Sequence, residues 1–306
     1  MRSFDTAAQR HGGVKKERSC KVAVIGLVGR SMFFRVPRFH SGGETVHATE
    51  FYEEWGGKGF NQAVAAARQG AAVSFLGKAG SEADASAIEV LCEKENIVPH
   101  VYFSKPTVEP TACAAIMTDG TGETRVTVAR GIELDAADVE FGFAAAIADA
   151  DILLLNNEVP EEVNLRASEI AAGNGVKIVF NPAPARPLPA VLAERVALFT
   201  PNEFEEAMLG DVSGEVVTTL GAKGCRIRST GEVMSAPPVK AVDSTGAGDT
   251  FTAVLAVRIA EGAPLRDACR AANEAAAKSV TVRYVLPAIP CRNSDEAFTA
   301  RRTDKT

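Results

Sequence analysis

The chain has 306 residues, 46% hydrophobic and 24% charged, which is enough apolar material for a sizeable core and excludes a chain disordered throughout. A net charge of −6 and a pI near 5.4 give no electrostatic ground for nucleic acid or an anionic membrane as partner. No run approaches the ~18 apolar residues of a membrane span, residues 1–20 lack the apolar stretch of a signal peptide, and six scattered cysteines form no CxxC pair, so a soluble cytoplasmic protein with free thiols is expected.

Residues 1–20 read as a loose polar tail. Residues 21–28 (KVAVIGLV) are a short continuous apolar run, the pattern of a strand buried on both faces. The run ends in Gly26 and Gly29 only, so the three-glycine dinucleotide fingerprint is incomplete. Residues 35–52 are polar and turn-rich, an excursion from the main sheet. Then Trp55-Gly56-Gly57-Lys58-Gly59-Phe60-Asn61-Gln62 opens an alanine-rich helix that stops at Gly70. Small side chains let such a helix press close to a sheet, and Lys58 and Asn61 at its start can grip hydroxyls or an anion. A surface lysine and an asparagine cap are the plainer alternative.

Strand-like and helical runs alternate from there. Strands are expected at 73–76, 101–103, 152–155, 176–180, 197–200 and 216–220, and helices at 82–95, 136–148, 161–172, from Asn202, and at 265–281. Residues 111–118 and 124–129, joined by Asp119-Gly120-Thr121-Gly122, read as a hairpin. Residues 292–306 are a polar tail. Repeated βα units predict an α/β fold, a doubly wound and mostly parallel sheet with ligands at the carboxyl ends of its strands.

The stretch AVDSTGAGDTF, residues 241–251, organises the rest. An apolar approach, a glycine turn and a helix start make an anion site, because the first helical N–H groups lack partners and carry the positive end of the dipole. Asp249 falls in the first turn. A carboxylate repels a phosphate bound there, unless its task is to take a proton from the hydroxyl that attacks that phosphate. An aspartate that merely caps the helix is the competing reading.

Taken together, GGKGFNQAVAAARQGA and DSTGAGDTF resemble the two signatures of the ribokinase-like (PfkB) family of sugar and nucleoside kinases, and the motifs are most like those of ribokinases. Landmarks between them resemble the family too: Leu155-Asn156-Asn157-Glu158, Asn181-Pro182-Ala183-Pro184-Ala185, Thr200-Pro201-Asn202-Glu203-Phe204-Glu205 and Thr219-Leu220-Gly221-Ala222-Lys223-Gly224. The resemblance spans residues 22–290. It implies one α/β domain over residues 21–291, with a small β-sheet lid from about 35–55 and 107–129 that in several relatives also makes a dimer contact. It implies phosphoryl transfer from ATP, with Mg²⁺, to a hydroxymethyl group of a sugar-like molecule. Asp249 would be the base, and the amides of Gly246, Ala247 and Gly248 the anion hole. Ser31, Gly57, Lys58, Asn61 and Glu158 would meet the sugar. Asn202, Thr219, Gly221, Gly224 and Asn273 would line the nucleotide site, Glu205 would hold Mg²⁺ through water, and Asp243 would belong to a monovalent-cation site. A nucleoside kinase, or a non-catalytic sensor of the same fold, is the alternative; a dinucleotide-dependent oxidoreductase is a more distant one.

Four departures bear on function. Ser31 stands where ribokinases carry an aspartate for sugar hydroxyls and Gly29 where they carry an asparagine, so a substrate with fewer hydroxyls, or with an anionic group for Arg30 or Arg35, is expected. Phe33, Phe34 and Phe60 add aromatic surface that either stacks on a ring or packs the core. Residues 283–288 place Tyr284 and Ala288 where the cation cage needs glycine and serine, so little potassium activation is expected. Only GDVSGE lies between Leu209 and Val216, leaving that edge less covered.

Overall fold

Burial on both faces turns the apolar run near the amino terminus into an interior strand of a nine-stranded sheet, flanked by parallel strands on each side. The computed structural model describes residues 19–103 and 109–292; the expected tails therefore fall largely outside it, as do residues 107 and 108 of the lid. In chain order the elements are β1 (Lys21–Ile25), β2 (Gly29–Arg35), β3 (Glu50–Gly56), α1 (Lys58–Arg68), β4 (Ala72–Ala79), α2 (Glu82–Lys94), β5 (Ile97–Phe103), β6 (Ala112–Thr118) and β7 (Thr124–Ala129). There follow α3 (Ala136–Gly142), α4 (Ala144–Ala148), β8 (Ile152–Asn156), α5 (Glu161–Gly173), β9 (Lys177–Asn181), α6 (Ala190–Ala193), β10 (Leu198–Phe199) and α7 (Glu203–Leu209). The last are β11 (Glu215–Thr219), a 3₁₀ turn (Gly221–Lys223), β12 (Cys225–Ile227), β13 (Val233–Met234), α8 (Ala247–Ala260) and α9 (Leu265–Ser279).

The large sheet runs β13-β12-β11-β10-β9-β8-β1-β4-β5, parallel except where β12 and β13 turn back. Alternate residues of β1 serve two cores. Val22 and Val24 pack on the side of α1, α8 and α9, while Ala23 and Ile25 pack on the side of α3, α4 and α5. Helix α8 is apolar on nearly every face because it is enclosed by α1, α9 and the sheet. Pro99 sits inside β5, which as an edge strand needs no partner for the missing N–H.

A second sheet, ordered β3-β2-β6-β7, forms the lid. It starts six residues earlier than the polar texture suggests, since β2 begins at Gly29. Gly29 lies flat against Ala112 of β6, where a Cβ would sit 2.3 Å from the Ala112 carbonyl oxygen, so the chain can leave β1 and enter the lid at once. The expected helix 136–148 is two helices broken at Phe143. The Gly142 carbonyl accepts the Tyr102 hydroxyl at 3.1 Å, and the buried Phe143 ring turns inward with φ −137°.

Candidate active site

Two glycines fix the floor. A Cβ on Gly26 would lie 2.5 Å from Gly59 Cα, and one on Gly59 equally close to Gly26 Cα, so the end of β1 and the start of α1 touch main chain to main chain. Gly57, at φ 115°, adopts a conformation that only glycine takes readily and passes over the Leu27 carbonyl. The Lys58 N–H then donates to Glu158 Oε2 at 2.7 Å, and Glu158 N–H donates to Asn156 Oδ1 at 2.9 Å. Burial pushes the Glu158 carboxyl up to about 7, with the Lys58 ammonium pulling against it.

Asp249 enters the site from the first turn of α8. It is buried; its Oδ2 accepts Asn61 Nδ2 at 2.9 Å and its Oδ1 accepts Gln62 Nε2 at 3.3 Å. Gln62 also reaches Asn181 Oδ1 at 3.4 Å, and Asn181 Nδ2 donates to the Thr200 carbonyl at 2.8 Å, so the carboxylate is oriented from the ends of β9 and β10. Burial raises the pKa of Asp249, while Lys58 and the two carboxamides favour its charged form. Lys58 in turn is held above its usual value, chiefly by Asp249. The Asn61 Oδ1 and Gln62 Oε1 acceptors are buried with no partner among the described residues.

The turn before α8 bends at Gly246, φ 75°, against the Val285 side chain. Ala247 N–H donates to the Ser244 carbonyl at 3.3 Å, whereas nothing stands within 4 Å of where a Gly248 Cβ would be. Of the three amides expected to cradle a phosphate, the middle one is therefore partly engaged.

The lid roofs a cavity of about 410 Å³ whose walls include Ser31, Gly57, Lys58, Asn61, Glu158, Gly246 and Asp249. Strand register decides what faces down. Ser31 pairs with Ala114 and Phe33 with Ile116, and these pair in turn with Val128 and Val126, so the roof is mostly apolar. Phe60 is core, edge-on to Phe75, and Phe34 lies on the outer face against Phe51. The expectation that Arg30 or Arg35 awaits an anionic substrate needs correction. Arg30 is held by Glu53 at 2.7 Å and Asp84 at 2.6 Å above Trp55, and Arg35 lies 3.7 Å from Glu50. Both arginines are already paired with carboxylates, Arg30 with Glu53 and Asp84 and Arg35 with Glu50, which no local pattern reveals.

The residues expected on the nucleotide side gather near the ends of β10 and β11. Asn202 bridges Thr219, and Gly221 opens the 3₁₀ turn. Gly224 packs on the Met234 carbonyl, and Asn273 is buried, donating to that same carbonyl at 3.0 Å, so it shapes this side through Met234. Asn202 and Glu205 form a capping box on α7, each bond 2.8 Å. Burial raises the Glu205 carboxyl, which also feels Lys58 and Asp249. A carboxylate in the same field as the cradle suits a hard, hydrated divalent ion. Asp243 does not suit a monovalent cation in the same way. Its Oδ1 accepts Thr245 N–H and Oγ1–H, and its Oδ2 accepts Tyr284 N–H at 3.0 Å. Donor hydrogens converge where a cation needs oxygens. Replacing potassium by choline at constant ionic strength is expected to leave turnover unchanged, which an assay in each salt checks.

Two buried carboxyls set a pH dependence. Glu54 and Glu158 are both pushed to about 7 by burial, from an ordinary 4.5. Between those values the folded chain holds protons that the unfolded chain has released, so stability falls as pH rises through this window. The penalty is on the order of 3 kcal/mol per group when fully developed. Glu158→Gln is expected to match the wild type near pH 4.5 and to exceed it increasingly up to pH 7, read by denaturant unfolding across that range. His100, whose burial lowers its pKa, tilts the wild-type curve the other way, and the difference between variant and wild type cancels it.

Gln62 and Asn181 stand in the quoted sequence motifs without an assigned role, and Glu54 stands in none. Gln62 follows Asn61 directly and its place at the helix start was a usable signal; Asn181 and Glu54 gain their roles only through tertiary contacts.

The pfkB family carbohydrate kinase model matches residues 19–290. The chain is 33% identical to the ribokinase of Bacillus subtilis over 288 residues, covering 90% of this chain and 98% of that one. It is 32% identical to the ribokinase of Haemophilus influenzae, covering 90% and 97%. Among solved structures, ribokinase from Thermotoga maritima superposes with a TM-score of 0.80 at 29% identity over 92% of this chain and 99% of that one. Arabidopsis thaliana ribokinase, complexed with ribose and ATP, superposes with a TM-score of 0.77 at 26% identity over 91% and 98%. With the sheet, the lid and both glycine signatures assembled around one cavity, the chain belongs to the pfkB family and is an ATP-dependent carbohydrate kinase.

Proposed function

We propose that the enzyme transfers the γ-phosphoryl group of ATP to a hydroxymethyl oxygen of a sugar-like molecule held under the lid, with Asp249 as base. The observation that carries this is one buried carboxylate beside the Gly246 turn, in the wall of the cavity that also holds Lys58. The substrate hydroxyl gives its proton to Asp249; its oxygen forms the new bond to phosphorus as the bond to the ADP oxygen breaks. The Gly246 and Gly248 amides, with Ala247 sharing its own, hold the charge that develops on the transferred group. Burial disfavours the ionised form of Asp249, and Lys58 pulls the other way, toward the carboxylate that can take the proton.

Gly57, Lys58, Asn61, Glu158 and Ser31 orient the sugar, and the unpartnered Asn61 Oδ1 is an acceptor for one of its hydroxyls. Asn202, Thr219, Gly221 and Gly224 line the nucleotide side, with Asn273 behind them. Glu205 would hold Mg²⁺ through water, and the ion would neutralise phosphate charge there. The unpaired edges of β3 and β7 offer the lid to a second copy, giving a homodimer. Among the described residues no helix is long and apolar enough to cross a membrane, and the free thiols suit a cytoplasmic enzyme.

The related ribokinases put D-ribose first in a panel of pentoses, hexoses, sugar acids and nucleosides incubated with Mg-ATP. ADP release with at least one member is the expected result; silence across the panel together with no ATP binding overturns the reading. A nucleoside is the second reading, favoured by the apolar roof of Phe33, Ile116 and Val126, and the same panel separates the two. A non-catalytic sensor would bind a sugar and transfer nothing, whether or not Asp249 is replaced by Asn.

A further inference from the structure

Strand β3 carries Glu50, Tyr52 and Glu54 on the lid's inner face, yet these side chains meet the loop after α9. Glu54 is buried, and its two oxygens accept Val285 N–H at 2.8 Å and Leu286 N–H at 3.1 Å. Tyr52 stacks on Tyr284 with ring centres 3.9 Å apart, and the Tyr284 hydroxyl donates to Glu50 at 2.7 Å. On its other side the loop bears on the phosphate turn: Tyr284 N–H donates to Asp243, and Val285 Cγ1 would lie 2.5 Å from a Cβ on Gly246. Arg68 secures the loop's carbonyls at Leu286 and Ile289, at 2.6 and 2.8 Å. Contact is therefore continuous from the lid through Glu54 and Val285 to Gly246.

A buried carboxylate such as that of Glu54 is expensive, and an apolar residue would fill the same space without that cost. Two consecutive N–H groups, that of Val285 buried and that of Leu286 half-buried, explain it, because the first would otherwise be left without an acceptor. The loop they belong to sets where Gly246 stands. We propose that Glu54 is a positioning residue: from the lid, it fixes the Val285 loop and through it the phosphate-binding turn at Gly246. This rests on the reading that the Gly246 turn receives the transferred phosphoryl group. Glu54 touches neither substrate, so its removal misaligns the turn and leaves the binding groups in place.

The test compares wild type, Glu54→Ala, Glu54→Gln and Val285→Ala by hydrogen exchange of the unliganded protein and by steady-state kinetics with Mg-ATP and D-ribose. In Glu54→Ala, amide exchange is expected to rise in 284–286 and also in 243–248. The same variant should lose about tenfold or more in kcat, the scale of a small misplacement at the reacting centre, with KM for ATP changing by less than about threefold. Glu54→Gln, which keeps one carbonyl acceptor, should recover part of both effects. Val285→Ala leaves Glu54 and its bonds intact yet should reproduce the kcat loss; it carries the test if Glu54→Ala does not fold. Wild-type exchange at 243–248 in Glu54→Ala, or a kcat unchanged in both Glu54→Ala and Val285→Ala, overturns the proposal. A wild type inactive on every sugar overturns the phosphoryl-transfer reading instead, and exchange at 243–248 then still decides whether Glu54 holds the turn.

Discussion

Asp249→Asn will lower kcat by about 10²–10⁴-fold, the range for loss of a general base, while D-ribose binding measured by calorimetry stays close to wild type. The amide keeps the size of the carboxylate but cannot accept the hydroxyl proton. It also brings an N–H where Asn61 and Gln62 both donate, so one of those two bonds is lost. The substitution should at the same time stabilise the fold near neutral pH, because burial disfavours the ionised Asp249 and a neutral amide escapes that penalty. Activity falling while thermal stability rises is a combination that a purely structural aspartate would not produce. A variant that turns over at the wild-type rate would remove Asp249 from the chemistry.

Gly59→Ala has the second largest expected effect, and it acts through shape alone. The new methyl would stand 2.5 Å from Gly26 Cα and 3.2 Å from Asn156 Nδ2, and main chain cannot step aside as a side-chain tip can. Helix α1 must shift outward at its start, with a stability loss of about 3 kcal/mol, the upper part of the range for overpacking. The shift carries Lys58, Asn61 and Gln62 away from Asp249, so kcat should fall along with the denaturation midpoint. Gly26→Ala should do the same, since the contact is reciprocal. If either alanine variant unfolds at the wild-type denaturant concentration, the close approach is not what holds α1.

Much of the floor was legible because its determinants are local. The glycines at 56, 57 and 59, the small residues of α1 and the turn at 246–248 each need a particular backbone path, and residue type records such a need directly. β1 was legible because strands covered on both faces are apolar throughout. What escaped depends on pairing over distance. β2 has the polar Arg30 and Ser31 among its aromatics, and only its register with β3 and β6 makes it a strand. The break at Phe143 requires Tyr102, 40 residues earlier, to take the Gly142 carbonyl. The misreading of Arg30 has the same origin, since Glu53 comes from the neighbouring strand and Asp84 from α2. β12 and β13 are simply too short for periodicity to register.

The roof and the floor of the cavity are built on different terms. On the floor, two main chains touch with no side chain between them, and hydrogen bonds tie Asn61 and Gln62 to Asp249 and the Lys58 N–H to Glu158. Overhead, β7 is exposed along its whole length and contributes only side chains such as Val126 and Val128. Replacing those valines alters no buried bond. Exchanges along this one strand can therefore reshape the roof of the cavity while the main-chain contact of the floor stays as it is.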